Sequence, residues 1–345
     1  MRLTALLFLL ALAGCEAGRA PPLAVGVPAA PMAMVVPPRL PAPAAVPTAT
    51  PRPERFANER PNRFVPVAAQ PVATISLASD TASYGIARRL LQQGQWPPAA
   101  AIRPEEFLNA FTWNYPTSAD PARPFEPFVS VHPAPWDASR RLLHIGLRTR
   151  DVSAERPPLN LTFLLDNSGS MGPPDRLALV IGGIRMLLPQ LTSRDRVSIV
   201  SYAGSVRTVL DSARGDQRAE IEAALGQLSA GGGTAGSSGI SAAYDLAGRN
   251  FARRAVNRVI LATDGDFNLG ISDPRALEAL IKSQRDRGIY LTAIGVGLDN
   301  LTDTTMHALA RAGNGTYAYA GDAAGMHRAL VEDFGANLLP VANDV

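Results

Sequence analysis

Two carboxylates and three hydroxyls stand out in this 345-residue chain because each follows or faces the end of an apolar run. Asp166, Ser168 and Ser170 come directly after the uninterrupted run from Leu161 to Leu165. Asp264 ends a second such run, which starts at Val259, and Thr234 follows three consecutive glycines, Gly231 to Gly233. Carboxylate, hydroxyl and water oxygens are hard ligands that suit a small hard cation. Mg²⁺ keeps several waters and takes only one or two carboxylates from a protein. On residue types alone, these five side chains would hold a divalent ion; the plainer reading is that the two aspartates cap helices and turns.

Such a set needs elements to bring it together. An apolar run without alternation suits a central parallel strand covered on both faces. Gly169 and Gly172 favour a sharp turn after it, and residues 176–188 have helical length and spacing. Asp166, Ser168 and Ser170 therefore belong in the loop between a strand and a helix, where open α/β sheets bind ligands. Further along the chain, residues 197–202 and 206–210 read as a strand pair joined through Gly204. Helices follow at 218–228 and 237–251, then the Asp264 strand, a helix at 274–287, a strand at 289–296, a helix at 304–312, and shorter pieces at 316–319 and 326–338. This alternation predicts a doubly wound, mostly parallel sheet with helices on both faces.

The Asp-x-Ser-x-Ser pattern at Asp166, Ser168 and Ser170, with Thr234 and Asp264 in the same order and context, resembles the metal-ion-dependent adhesion site of von Willebrand factor type A domains. The resemblance implies a Rossmann-like α/β fold. It also implies that the serines, and often the threonine, hold Mg²⁺ or Mn²⁺ directly, while the aspartates bind directly or through water. A protein partner supplies an Asp or Glu carboxylate to the remaining position. Upstream, residues 80–84, 96–98, 103–107, 115–116 and 135–136 resemble the amino-terminal region of bacterial type A domain lipoproteins, which implies a smaller α+β domain ahead of the first. Its expected elements are a strand at 74–77, helices at 84–91 and 103–111, and strands at 128–131 and 142–147. Trp96, Trp113 and Trp136 are expected as core anchors.

The first residues read as a processing and anchoring signal. Arg2 precedes an apolar run from Leu3 to Leu12 that is too short to span a membrane, and Gly14-Cys15 then resembles a bacterial lipoprotein cleavage site. Cys15 is the only cysteine, so an intrachain disulfide is excluded, and the resemblance implies that it carries lipid. Glu16 stands where an aspartate would commonly retain such a protein in the inner membrane, so the outer membrane is the favoured destination. Residues 17–66 are dominated by Pro, Ala and Val and read as an extended tether. At ~3.1 Å per residue, some forty residues would reach roughly 100 Å. The expected organisation is a signal peptide at 1–14, a tether at 15–61, the amino-terminal domain at 62–155, the type A domain at 156–334, and the start of a further domain at 335–345.

Composition and missing motifs bound the function. The formal net charge of +3 and scattered arginines give no basic stripe, so nucleic acid is not an expected partner. Gly231 to Gly236 lacks the Gly-Lys-Ser/Thr ending of a phosphate loop, and Ser168 stands where a phosphoryl-transfer Asp-x-Asp pair would need its second acid. Neither a Gly-x-Ser-x-Gly elbow nor a metal-binding histidine spacing is present. No catalytic residue is assigned. The expectation is a membrane-tethered capture module; its rival is an envelope scaffold whose metal site is purely structural.

Overall fold

A computed structural model describes residues 56, 63–74, 78–116, 120, 123, 125–149, 156–232, 239–265 and 273–332. All of them fall within the unit Ala49–Val345. Residues 75–77 of the expected strand at 74–77, all of the expected tether except residue 56, Thr234 and residues 333–345 lie outside the described residues.

The expected apolar run is β3 (Leu159–Asp166), which follows a hairpin of β1 (Phe125–Ala134) and β2 (Asp137–Thr149). Every residue of β3 is buried. It lies in a six-stranded sheet with β4 (Arg196–Tyr202), β5 (Val206–Arg214), β6 (Val256–Thr263), β7 (Ile289–Gly295) and β8 (Tyr317–Tyr319). The order is β5-β4-β3-β6-β7-β8. Only β5 runs antiparallel to its neighbour; the other pairs are parallel, so the sheet is mixed and mostly parallel as expected.

Alternation along β3 explains the two helical layers. Leu161, Phe163 and Leu165 point to one face, where they share a core with Val180, Ile184 and Leu187 of α3 (Leu177–Leu187). Leu164 points to the other, into a core with Ile240, Ala243 and Leu246 of α5 (Gly239–Arg249) and Leu277 and Ile281 of α6 (Pro274–Asp286). A strand with apolar residues at both parities can only sit between two layers, which is why the run does not alternate. Between β5 and α5, α4 (Arg218–Leu225) adds Ile221 and Leu225 to the first core. Pro274 at the first turn of α6 and the Asp273 side chain, which accepts the Arg275 N–H, mark where that helix starts.

Two helices from the amino-terminal region, α1 (Ala82–Gln92) and α2 (Pro104–Asn109), lie at the β8 edge of this sheet. Ala82, Ile86 and Leu90 share a core with Ala293 of β7, Tyr317 of β8, and Met306 of α7 (Asp303–Ala312). Beneath that apolar layer is a charged one. Arg103 pairs with Glu106, and its Nη1 donates to Asp303 Oδ2 at 2.7 Å. His307 Nε2 lies 2.7 Å from Glu106 Oε1, an ion-pair contact off the axis of a hydrogen bond, and its Nδ1 lies 3.4 Å from Asp80 Oδ2. Glu106 and Asp303 are almost completely buried. Burial pulls the His307 imidazole down, but the carboxylates of Asp80 and Glu106 outweigh it and raise it to about 9.

The tryptophan expectation is corrected. Trp96, Trp113 and Trp136 are 88%, 46% and 71% exposed. Trp136 sits in the turn between β1 and β2, where no layer lies over it, and Trp96 precedes two prolines in the passage from α1 to α2. Trp113 donates its indole N–H to the Leu108 carbonyl at 2.8 Å and stays near the surface. The aromatic packing of this region runs instead through Tyr84, whose ring meets Phe107 and Phe111 edge-on at 5.6 and 5.1 Å.

Candidate metal centre

Parallel strands place their carboxyl ends at one edge of the sheet, and the connections from β3 go first to β4 on one side and later to β6 on the other. The crevice at such a reversal opens at the end of β3. Asp166 is the last residue of β3, Tyr202 ends β4 and is paired in register with Asp166, and Asp264 follows Thr263 at the end of β6. Asp166, Ser168, Asp264 and Tyr202 are buried.

The turn after β3 is held by its own polar groups. Asp166 Oδ1 accepts the Ser168 N–H at 2.9 Å, while Oδ2 accepts the hydroxyls of Thr263 at 3.0 Å and Tyr202 at 3.4 Å. This brings the hydroxyl oxygens of Ser168 and Ser170 to 3.0 Å from each other. The backbone of the same turn clasps the loop that leads to Thr234: Gly169 N–H donates to Gly232 O at 3.3 Å, and Gly231 N–H donates to Asn167 O at 2.9 Å. Gly232 has φ +87°, in the left-handed region that a glycine adopts without cost.

Electrostatics sharpen the picture. Burial lifts the Asp166 carboxyl to about 6, with the nearby charge of Asp264 adding to the rise, against hydrogen bonds from Ser168 and Thr263 that lower it. Burial also pushes the Tyr202 hydroxyl well up, so it stays protonated as a donor to Asp166. A carboxylate held in a position where its charge is costly gains most from a cation beside it.

Geometry brings together Asp166, Ser168, Ser170 and Asp264; Thr234 lies outside the described residues, beyond the loop that the turn clasps. Three participants were not singled out from the sequence. Thr263 and Tyr202 orient Asp166, and Arg176 donates from Nη1 to Asp264 Oδ2 and to Ser170 O, both at 2.6 Å. Arg176 also reaches Asp299 Oδ2 through Nη2 at 2.6 Å. One signal was available for the arginine. It stands immediately ahead of α3, at the helix end where the dipole disfavours positive charge, so its partners had to be elsewhere.

The von Willebrand factor type A domain family matches residues 160–332, and a second family described as von Willebrand factor matches residues 50–144. The chain belongs to the von Willebrand factor type A family. The uncharacterized protein YfbK of Escherichia coli (strain K12) is 39% identical over 304 residues, 86% of this chain and 53% of that protein. The uncharacterized protein sll0103 of Synechocystis sp. is 30% identical over 183 residues, 52% of this chain and 42% of that protein. The chain thus spans about half the length of the curated relatives it matches. Among solved structures, that of BatB from Bacteroides thetaiotaomicron is similar at 21% identity and a TM-score of 0.43, covering 52% of this chain and 98% of that one. Type A domains serve protein–protein interaction and adhesion, and the mixed six-stranded sheet with flanking helices is their architecture.

Proposed function

We propose that this chain is a membrane-tethered capture module in which Asp166, Ser168, Ser170, Thr234 and Asp264 hold one Mg²⁺ or Mn²⁺ whose remaining position accepts an Asp or Glu carboxylate from a protein partner. The observation that carries this reading is the spacing of the two serine hydroxyls. Neighbouring ligands on an octahedral ion at ~2.1 Å lie about 3.0 Å apart, and Ser168 Oγ and Ser170 Oγ are 3.0 Å apart. Beside them stand a buried carboxylate that its surroundings disfavour as an anion and a second carboxylate within its field. The donor set is all oxygen, which fits a hard cation and no soft one. When bound, such an ion supplies an electrophilic centre for an incoming carboxylate. The serines and Thr234 would fix geometry without adding charge; Thr263 and Tyr202 hold Asp166 in place. We read the chain as non-enzymatic because the motifs for phosphoryl transfer and nucleophilic hydrolysis are missing from it.

The test is titration calorimetry with Mg²⁺ and Mn²⁺ on the protein and on Asp166→Ala, together with thermal melting in ion and in chelator. A bound ion should stabilise the fold by RT ln(1 + [L]/Kd), about 1.4 kcal/mol at ten times its Kd. Asp166→Ala should lose that increment and the ion-dependent retention of envelope proteins; Asp264→Ala should weaken ion binding while leaving some through the serines. Binding of neither ion at millimolar concentration would defeat the reading. Capture that persists unchanged in chelator would favour the scaffold alternative.

The tethered part of the proposal rests on Leu12-Ala-Gly-Cys15 following an apolar run. Among the described residues no helix is long and apolar enough to cross a membrane. We propose lipid on Cys15 and an envelope location, with the outer membrane favoured. Mass spectrometry of the membrane fraction should find a mature amino terminus at Cys15 carrying acyl chains; an unmodified thiol there would rule the anchor out.

A further inference from the structure

The two faces of the β1–β2 hairpin are built differently. Residues directly opposite in an antiparallel pair share a face, so the register Val129↔Ile145 and Val131↔Leu143 separates one set of side chains from the set that contains Phe128, His144 and Gly146. The second set is covered. The Tyr115 ring stacks on Phe128 at 5.8 Å and its hydroxyl lies 2.8 Å from His144 Nε2, while Gly146 leaves room for the ring, since a Cβ there would lie 2.5 Å from it. The first set is bare. Val129, Val131, Leu143 and Ile145 are 58%, 60%, 55% and 43% exposed, and Pro127 and Leu147 extend the same stripe. Within the regular register Arg141 is the only charged residue on this face. At the tip, Asp137 is matched by Arg140 at 2.7 Å, so charge does not choose the occupant.

Size and surroundings do. Ten residues at ~3.4 Å, in two strands ~4.8 Å apart, present a face of roughly 300 Å², under half of the ~800 Å² per partner that a stable protein interface takes. A second copy of the chain would be held weakly by it. A lipid surface sets no such threshold once the chain is attached to it, because the contact then forms at a high effective concentration. The chain outside the described residues makes that attachment: residues 16–55 join Cys15 to Phe56, which packs against the core containing Ala82, Ile86 and Leu90. Eight residues later, at most ~29 Å of chain away, Phe64 lies 4.1 Å under the Arg140 guanidinium, close to the hairpin tip. Phe64 is 85% exposed, and with Trp136 it sets two aromatic rings beside arginines at one end of the bare stripe, a composition suited to the membrane–water interface. Resting on the lipid anchor proposed above, we infer that the hairpin lies against the lipid surface by its Val129, Val131, Leu143 and Ile145 face, with Trp136 at the level of the headgroups. It goes no deeper, because a two-stranded sheet has two open edges whose backbone groups need water. The contact holds the type A domain in one orientation at the membrane instead of leaving it free on its tether.

The test uses the full lipidated chain reconstituted into phosphatidylethanolamine–phosphatidylglycerol vesicles, with Trp96→Phe and Trp113→Phe leaving Trp136 as the reporter. Lipids brominated on the acyl chain quench tryptophan only on close approach. An interfacial element sits ~5–10 Å into the headgroup and acyl boundary, so Trp136 should shift to the blue and lose most of its emission to lipids brominated high in the chain, and less to lipids brominated near its end. Val131→Lys with Leu143→Glu replaces an apolar cross-strand pair by an oppositely charged one that preserves the hairpin; it should abolish both the shift and the quenching while the protein stays on the vesicles through its anchor. If that variant does not fold, Val129→Thr with Ile145→Thr supplies a polar pair of high strand propensity and should weaken both readings. A parent protein that is retained on the vesicles with Trp136 unquenched would overturn the inference and leave the anchor standing, as would quenching unchanged in the variants. A blue shift that grows with protein concentration but not with brominated lipid would assign the face to a second copy, and one that needs added soluble envelope protein would assign it to a protein partner. Failure of the parent to stay on the vesicles, with an unmodified Cys15, would defeat the anchor reading and this inference with it, an outcome distinct from the others.

Discussion

Arg103→Met should cost about 3–5 kcal/mol of stability, as expected when one partner of a buried ion pair is removed and the other is left charged. Arg103 is the only cation that contacts both Glu106 and Asp303 among the described residues, and both carboxylates are almost fully shielded from water. The loss should appear as a lower urea midpoint. Because Arg103 and Glu106 belong to the α2 turn and Asp303 to α7, limited proteolysis should also release the region around α1 and α2 before the sheet opens. The same network carries a pH signature. His307 is raised to about 9 in the fold and would sit at 6.5 when unfolded. The stability it contributes is therefore fully present below pH 6.5 and is lost as pH rises through 9. The whole effect is at most about 3 kcal/mol, since the imidazole is partly exposed and its partners are shared. His307→Gln should flatten that slope and leave the Arg103 effect in place. An Arg103→Met protein as stable as the parent would show that the docking is apolar, carried by Ile86, Leu90 and Met306 alone.

That network illustrates what a linear sequence does and does not disclose. The fold of the type A domain was legible because its signals are local: runs such as Leu161 to Leu165 and Val259 to Ala262, each ending in a polar residue, separated by helical spacing. The elements at β3, α3, α6 and β7 lie within a residue or two of their expected bounds, and β6 starts three residues ahead of the expected Val259. The ligand-bearing turn was legible for the same reason, since Asp166, Ser168 and Ser170 are neighbours in the chain. Arg176 and Asp264 are 88 residues apart, and Arg103 and Asp303 are 200 apart. No periodicity or turn chemistry links such pairs; only the order of strands in the sheet brings them together. The tryptophans failed for a complementary reason. Their size predicts burial on average, but burial needs a second layer, and a hairpin tip such as residues 135–136 has none above it.

The second large effect is expected at Gly265. It follows Asp264, has φ +94°, and its N–H donates to Thr263 Oγ1 at 3.1 Å, the same hydroxyl that holds Asp166. A Cβ there would lie 2.6 Å from Asn300 O, Leu301 Cα and Thr302 N. All three are backbone atoms of the connection after β7, so no side chain can simply rotate away. Backbone strain and overpacking then add, and Gly265→Ala should lose about 2–5 kcal/mol. Gly94 provides the control: its φ of +74° is equally unsuited to a side chain, but nothing lies within 4 Å of its Cβ position. Gly94→Ala should cost only about 1 kcal/mol, the penalty of the left-handed conformation alone. The two variants separate strain from site geometry. Relief of the clash must move either the residue 300–302 backbone or the turn that carries Asp264. Gly265→Ala should therefore also weaken Mn²⁺ binding, in calorimetry run well below its melting temperature. Gly94→Ala, remote from the site, should bind the ion as the parent does. Equal stability loss in the two variants would mean that the sheet's carboxyl edge yields more readily than its packing implies, and undiminished Mn²⁺ affinity in Gly265→Ala would detach Asp264 from the ligand set.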